Sequence, residues 1–218
     1  SGFITALDIA ASMLKAGSYK YALVIGSEKM SEIVNWKDRS VCVLFGDGAG
    51  AVVLKAVDNN TEDVTGALVG HERGIIDSNI YNDGTGASVL TGGRRFSDSC
   101  STDIFIHMDG QEVFKFAVKS VPTAIETLLH NNNMDINEVD KFILHQANVR
   151  IIESVANRLK ADKDKFPVNL NEYGNTSSAS IPILLDELNR NGSLKQGEKL
   201  VLAGFGAGLS WGSILLVW

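Results

Sequence analysis

Acid–base chemistry in this chain would have to draw on four histidines, and one of them stands apart. His145 ends the apolar run Phe142-Ile143-Leu144 and leads through Gln146-Ala147-Asn148 into a helical pattern. Ligands of open α/β sheets collect at the carboxyl ends of strands, so His145 is a candidate catalytic group. The plain alternative is a histidine satisfied within the fold. His71 and His130 sit among polar residues and read as surface, and His107 follows a short apolar run. Asn175 lies in Glu172-Tyr-Gly-Asn-Thr-Ser-Ser-Ala-Ser180. It, Thr176 or Ser177 suits a helix cap, and its amide also suits donation to a developing oxyanion.

Other chemistries find less support. Gly46-Asp-Gly-Ala-Gly50 lacks the GxGxxG spacing and precedes a strand, so the phosphate-on-helix geometry of a dinucleotide site is absent. Gly204-Phe-Gly-Ala-Gly208 bridges two apolar runs, as a tight crossing or as a backbone N–H offered to a reacting carbonyl. No ligand spacing for a metal is present. Cys42 sits in an apolar run expected to be buried, Cys100 in a polar stretch, and neither has the surroundings of an activated thiolate.

The elements that must position these residues follow from length and pattern. The chain has 218 residues, 44% hydrophobic and 21% charged, which fits a folded globular protein. A net charge of −6 argues against a nucleic-acid binder. No apolar run approaches the roughly 18 residues of a membrane span. Two cysteines make no disulfide framework, so a cytoplasmic protein is expected.

Apolar spacing predicts helices over 3–15, 112–129, 149–159 and 178–189. Short apolar runs predict buried strands at 21–25, 51–54, 104–106, 142–144, 200–202 and 214–217, and a weak one at 168–170. Residues 58–103, rich in turn formers, are expected to hold little regular structure. Alternating strands and helices imply an α/β fold with a largely parallel sheet. The division falls into a remainder of a first half, 1–103, and a second half, 104–218.

The two ends of the chain share an order of elements: helix, Gly-Ser, apolar strand, glycine, then glycine and a second apolar strand. Gly17 on Gly192 sets an offset of 175 (192 − 17), and Gly26 on Gly204 one of 178 (204 − 26). A duplicated architecture is expected, in which the first copy lacks roughly 70 residues that the second has. At the first offset Ser1 falls on Thr176, so the residue before Ser1 would be the counterpart of Asn175.

Ser1-Gly2-Phe3, Asp38-Arg39, Phe45-Gly-Asp-Gly-Ala-Gly-Ala51, Met108-Asp-Gly-Gln-Glu-Val-Phe114, His145-Gln-Ala-Asn-Val-Arg150, Tyr173-Gly-Asn-Thr-Ser-Ser-Ala-Ser180 and Gly204-Phe-Gly-Ala-Gly-Leu-Ser-Trp-Gly212 occur in this order. Together they resemble the β-ketoacyl-acyl-carrier-protein synthase III family of condensing enzymes. The resemblance implies an α/β, thiolase-like fold: two βαβαβαββ halves in αβαβα layers, the first half truncated. It implies a Cys-His-Asn triad containing His145 and Asn175, with the cysteine directly before Ser1 and outside this chain. Gly206 would supply an oxyanion-hole N–H.

Further roles are implied by the same resemblance. Arg39 and Asn148 would lie beside coenzyme A with Gly110 close by, and Leu44, Phe45, Met108 and Phe205 would line the acyl pocket. Lys115, Arg150 and Arg158 would form the patch that meets the carrier protein. The implied partners are an acyl-CoA, malonyl-acyl-carrier protein and a second copy in a homodimer, with no cofactor beyond the thioester substrate. A polyketide- or quinolone-forming synthase of the same fold, or an inactive fragment, are the alternatives. Ala207 departs from the glycine common in the family.

Overall fold

The computed structural model describes residues 1–57, 61–62, 68–69, 73–92 and 105–218. His71, Cys100, Ile104 and much of the expected loop-rich stretch lie outside the described residues. Helix α1 (Gly2–Lys15) forms where the apolar spacing predicts it and buries Phe3, Ile4, Leu7, Ala11 and Leu14. Gly17 follows at φ 75°, a left-handed conformation that costs glycine little.

Strands β1 (Tyr21–Glu28) and β2 (Gly48–Lys55) form an antiparallel ribbon. Two short pairs follow: β3 (Thr61–Glu62) with β4 (Leu68–Val69), and β6 (Leu90–Thr91) with β7 (His107–Met108). The main sheet has four strands in the order β5 (Gly74–Asn82), β10 (Ser210–Val217), β9 (Lys199–Gly206), β8 (Lys141–Leu144). The other helices are α2 (Gly110–Asn131), α3 (Val149–Leu159), the single turn α4 (Leu170–Tyr173), and α5 (Ser180–Arg190).

Strand alternation sorts the apolar side chains onto two faces of the main sheet. Leu200, Leu202, Ile214 and Leu216 join Phe3, Ile4 and Leu7 of α1 and Ile181, Leu184 and Leu188 of α5 in one core. Val201, Ala203 and Leu215 join Val113, Val121 and Ile125 of α2 and Ile152 and Val155 of α3 in another. The layers among the described residues are therefore ribbon, α1 with α5, main sheet, then α2 with α3.

The repeat has a structural counterpart. β1 and β9 run antiparallel to the strand that follows each, and the glycines that set the pattern are cross-strand partners, Gly26 with Gly50 and Gly204 with Gly212.

Several expectations are corrected. The main sheet is not largely parallel: only β8 with β9 is, while β9–β10 and β10–β5 are antiparallel. A strand that ends at Gly206 and resumes at Ser210 leaves no room for the crossover a parallel pair needs. Within the expected loop-rich stretch, β5 is a nine-residue strand. Its turn-forming residues make tertiary bonds instead: Asp77 accepts from Asn132, Ser78 bonds Asp8, and Asn79 accepts from Ser213. β5 pairs with β10 along its length, with one irregularity between Leu215 and Leu216.

β1 is buried on one face only, and Leu23 and Ile25 on the other are exposed. Residues 41–44 form turns, with Val41 buried, Cys42 half-buried and Val43 exposed. The weak strand at 168–170 is absent. The N–H of Asn169 donates to Gln146 Oε1 rather than to a ladder, and α4 begins at Leu170.

Candidate active site

β8 delivers His145 to the end of the main sheet. Its N–H donates to Ala203 O at 2.8 Å, extending the β8–β9 pairing by one residue. Phe205 packs edge-on to the imidazole with centroids 5.3 Å apart. Nδ1 lies 2.7 Å from Ser180 Oγ, at the first residue of α5.

Asn175 arrives from another direction. It forms an isolated parallel bridge with Phe45: its N–H donates to Leu44 O at 2.9 Å, and its carbonyl accepts from Gly46 N–H at 3.0 Å. That bridge sets the polar turn at 175–180 beside the apolar segment 44–45. The side chain is oriented by a further bond, Oδ1 accepting from Ser177 N–H at 2.9 Å. Only the carbonyl oxygen can accept there, so Nδ2 is the atom left to donate.

Gly206 closes β9 against the start of α1. The amino nitrogen of Ser1 donates to Phe205 O at 3.0 Å. A Cβ on Gly206 would stand 3.3 Å from Ser1 Oγ and 3.4 Å from Ser1 N.

These pieces enclose a cavity of about 390 Å³. His145, Asn175, Gly206 and the Ser1 end of α1 share its wall. So do Leu44, Phe45, Met108 and Phe205, the expected acyl-pocket residues, and Asn148 and Gly110. Asn148 also caps α3, its side chain accepting from Arg150 N–H at 2.9 Å. The remaining predicted residues lie elsewhere. Arg39 is exposed on the loop after β1. Lys115 is exposed on α2 and paired with Glu112 at 2.8 Å. Arg150 is exposed at the start of α3, and the exposed Arg158 reaches Val118 O at 3.4 Å.

Electrostatics favour neutral groups in this cavity. Burial is the main cause that lowers the His145 pKa, to about 3. The imidazole is therefore uncharged at neutral pH and carries one ring proton.

Glu28 and Ser180 escape the sequence reading. Glu28 lines the cavity, and its Oε1 accepts from Ser178 N–H at 3.2 Å and Ser178 Oγ–H at 2.5 Å. It is a polar residue at the carboxyl end of an apolar strand, the criterion that singled out His145. Ser180 closes the same motif as Asn175, but a serine at a helix start signals capping first.

The family model described as "3-Oxoacyl-[acyl-carrier-protein (ACP)] synthase III" matches residues 1–84, and that of the same family's C-terminal part matches residues 129–218. The beta-ketoacyl-[acyl-carrier-protein] synthase III of Clostridium acetobutylicum is 44% identical over all of this chain and 65% of the relative. The crystal structure of 3-oxoacyl-[acyl-carrier-protein] synthase III from Aquifex aeolicus superposes with a TM-score of 0.88 at 44% identity, over 100% of this chain and 64% of that one. The priming β-ketosynthase of the R1128 polyketide pathway gives 0.84 at 34% identity, over 99% and 63%. The chain spans about 65% of the length of the first of these relatives. The fold is the expected thiolase-like α/β fold. Both ends of the chain match one family in its own order, including the segments that carry His145, Asn175, Gly206 and the start of α1, and the chain belongs to the 3-oxoacyl-[acyl-carrier-protein] synthase III family.

Proposed function

We propose that the complete protein starts type II fatty-acid synthesis by condensing an acyl-CoA with malonyl-acyl-carrier protein. The observation that carries this reading is the shared cavity wall of His145, Asn175, Gly206 and the α1 N-terminus. A cysteine joined to Ser1, as the resemblance implies, has its thiolate favoured at a helix N-terminus. The thiolate attacks the acyl-CoA carbonyl and expels CoA thiolate, leaving an acyl-cysteine. The Gly206 N–H and the nucleophile's own N–H receive the oxyanion.

Malonyl-carrier protein then loses CO₂. The bond between Cα and the carboxylate breaks, and its electron pair passes into an enolate on the thioester. That oxygen accepts hydrogen bonds from His145 Nε2–H and Asn175 Nδ2–H, each worth roughly 3 kcal/mol of barrier. The carbon attacks the acyl-cysteine, the thiolate leaves, and the β-ketoacyl product stays on the carrier. A neutral imidazole suits this role, because it donates without itself giving up a full charge to the site.

Asn148 and Gly110, with Arg39 outside the cavity, make the coenzyme A contact, and Leu44, Phe45, Met108 and Phe205 the acyl pocket. Lys115, Arg150 and Arg158 receive the acidic carrier protein, a local attraction that survives the chain's net charge because long-range repulsion is screened beyond about 8–10 Å. The protein acts as a cytoplasmic homodimer, each copy divided into a first half, 1–103, and a second half, 104–218, and sedimentation at monomer mass would refute the dimer. The 34% identity to a polyketide priming synthase keeps a second reading, in which the primer is not acetyl.

The full-length protein, given acetyl-CoA and carboxyl-labelled malonyl-carrier protein, should release labelled CO₂. Unchanged release by His145→Ala would sink the role given to His145. A panel of acyl-CoA primers separates the two readings, and a chain that starts at Ser1 should not condense.

A further inference from the structure

We infer that Ser180 is a positioning residue for His145: its hydroxyl donates to Nδ1 and so keeps the imidazole proton on Nε2, the nitrogen left for the cavity. Ser180 is 2% exposed, so the hydroxyl has no water to turn to and must choose among three neighbours. They are His145 Nδ1 at 2.7 Å, Ser177 O at 2.9 Å and Gln146 N at 3.3 Å. Gln146 N–H can only donate, so the single hydroxyl proton goes to Ser177 O or to Nδ1.

The two choices have opposite consequences. A proton on Ser177 O makes Oγ an acceptor for Nδ1–H, and the neutral ring then shows the cavity a bare lone pair. A proton toward Nδ1 leaves Nε2–H as a donor. Ser177 O does not need the hydroxyl, because the backbone N–H of Ser180 already donates to it. The contact to Nδ1 is also the shorter of the two. The nitrogen next to a fixed partner sets the tautomer of the other, as it does for imidazoles whose second nitrogen works on a ligand.

The inference rests on the proposed function for the use made of Nε2–H, but the tautomer is measurable without any activity. In the full-length protein labelled with ¹⁵N-histidine, two-bond proton–nitrogen correlations at pH 7.5 distinguish the tautomers, and His145→Gln identifies the signal. The wild type should show Nε2–H with Nδ1 at the position of a hydrogen-bonded acceptor. Ser180→Ala should move Nδ1 to the position of an unbonded nitrogen. Its decarboxylation kcat should fall at least about tenfold, the sense in which a mis-set catalytic histidine loses rate, with the KM for malonyl-carrier protein unchanged. Ser180→Cys, nearly the same size and a weaker donor, should lie between the two and carries the measurement if the alanine variant does not fold.

Nδ1–H in the wild type, or an Nδ1 signal unmoved in both variants, overturns the inference. A wild type that shows Nε2–H but does not condense overturns the proposed function and leaves the tautomer assignment standing.

Discussion

Asn175 Oδ1 accepts the N–H of Ser177 at 2.9 Å, so fixing the turn and donating to the cavity are tasks for two ends of one amide; neither the 177–179 turn nor α5 has a side-chain cap. The carbonyl end fixes the turn and the nitrogen end is left for the cavity. Asn175→Asp keeps the oxygen that fixes the turn and replaces the NH₂ donor by a carboxylate oxygen. Burying its charge should cost more than about 1 kcal/mol of urea-unfolding stability, while decarboxylation falls about 10²–10³-fold. Asn175→Ala should lose the same rate and about 1–3 kcal/mol of stability, with the Ser177 N–H left unpaired. An aspartate variant that still decarboxylates normally would remove Asn175 from the mechanism.

Ser177 holds the same turn at φ 50°, in the left-handed region that a side chain disfavours by about 1–2 kcal/mol. Its N–H and carbonyl are both engaged, by Asn175 and by Ser180. Glycine keeps both bonds and relieves the strain. Ser177→Gly should therefore match or exceed wild-type stability, by up to about 1 kcal/mol after its unfolded-state entropy is counted. Ser177→Val, β-branched and forced to positive φ, should fall below it. A lower urea midpoint for glycine than for valine would contradict this.

β1 meets the 177–179 turn where glycine is required. A Cβ on Gly26 would stand 2.5 Å from Ser178 O and 2.8 Å from its carbonyl carbon, both backbone atoms that cannot swing aside. Gly26→Ala must push β1 off the 177–179 turn. The expected cost is about 1–3 kcal/mol, with weaker condensation because that turn orients Asn175 and Ser180. Gly84, with nothing within 4 Å of its Cβ position and no positive φ, is the control. Gly84→Ala should stay within about 0.5 kcal/mol of wild type. Equal thermal shifts for the two variants would show that the close approach at Gly26 carries no strain.

What was legible in the sequence follows from where the information is local. Helix α3 matches its apolar spacing at both ends, because Asn148 caps its start and five apolar residues share one face. His145 at a strand end and Asn175 in a polar turn were recognisable by type and position. β5 was not, since Asp77, Ser78 and Asn79 signal turns until their partners just after α2, on α1 and on β10 are known. Ser180 and Glu28 were missed for the same reason: their partners lie 35 and 150 residues away in sequence. The parallel sheet was over-read from alternation alone, which does not say which strands are joined by tight turns.

The buried imidazole gives stability a pH dependence whose sign is fixed. His145 titrates at about 3 in the folded chain and near 6.5 once unfolded. Above pH 6.5 both states are neutral at this site, and it contributes nothing to the slope. Between 6.5 and 3 the unfolded chain binds a proton that the native chain refuses, so stability falls as pH falls, by up to ~1.4 kcal/mol per unit. His145→Gln removes this limb and leaves every other titrating group in place. From pH 7 to pH 5 its stability should drop by about 1–2 kcal/mol less than that of wild type, read from urea midpoints at the two pH values. Parallel losses would mean that His145 protonates in place and the site opens to water. In that case the histidine would donate as a cation, and decarboxylation would show an inflection near pH 6–7 that a neutral donor does not produce.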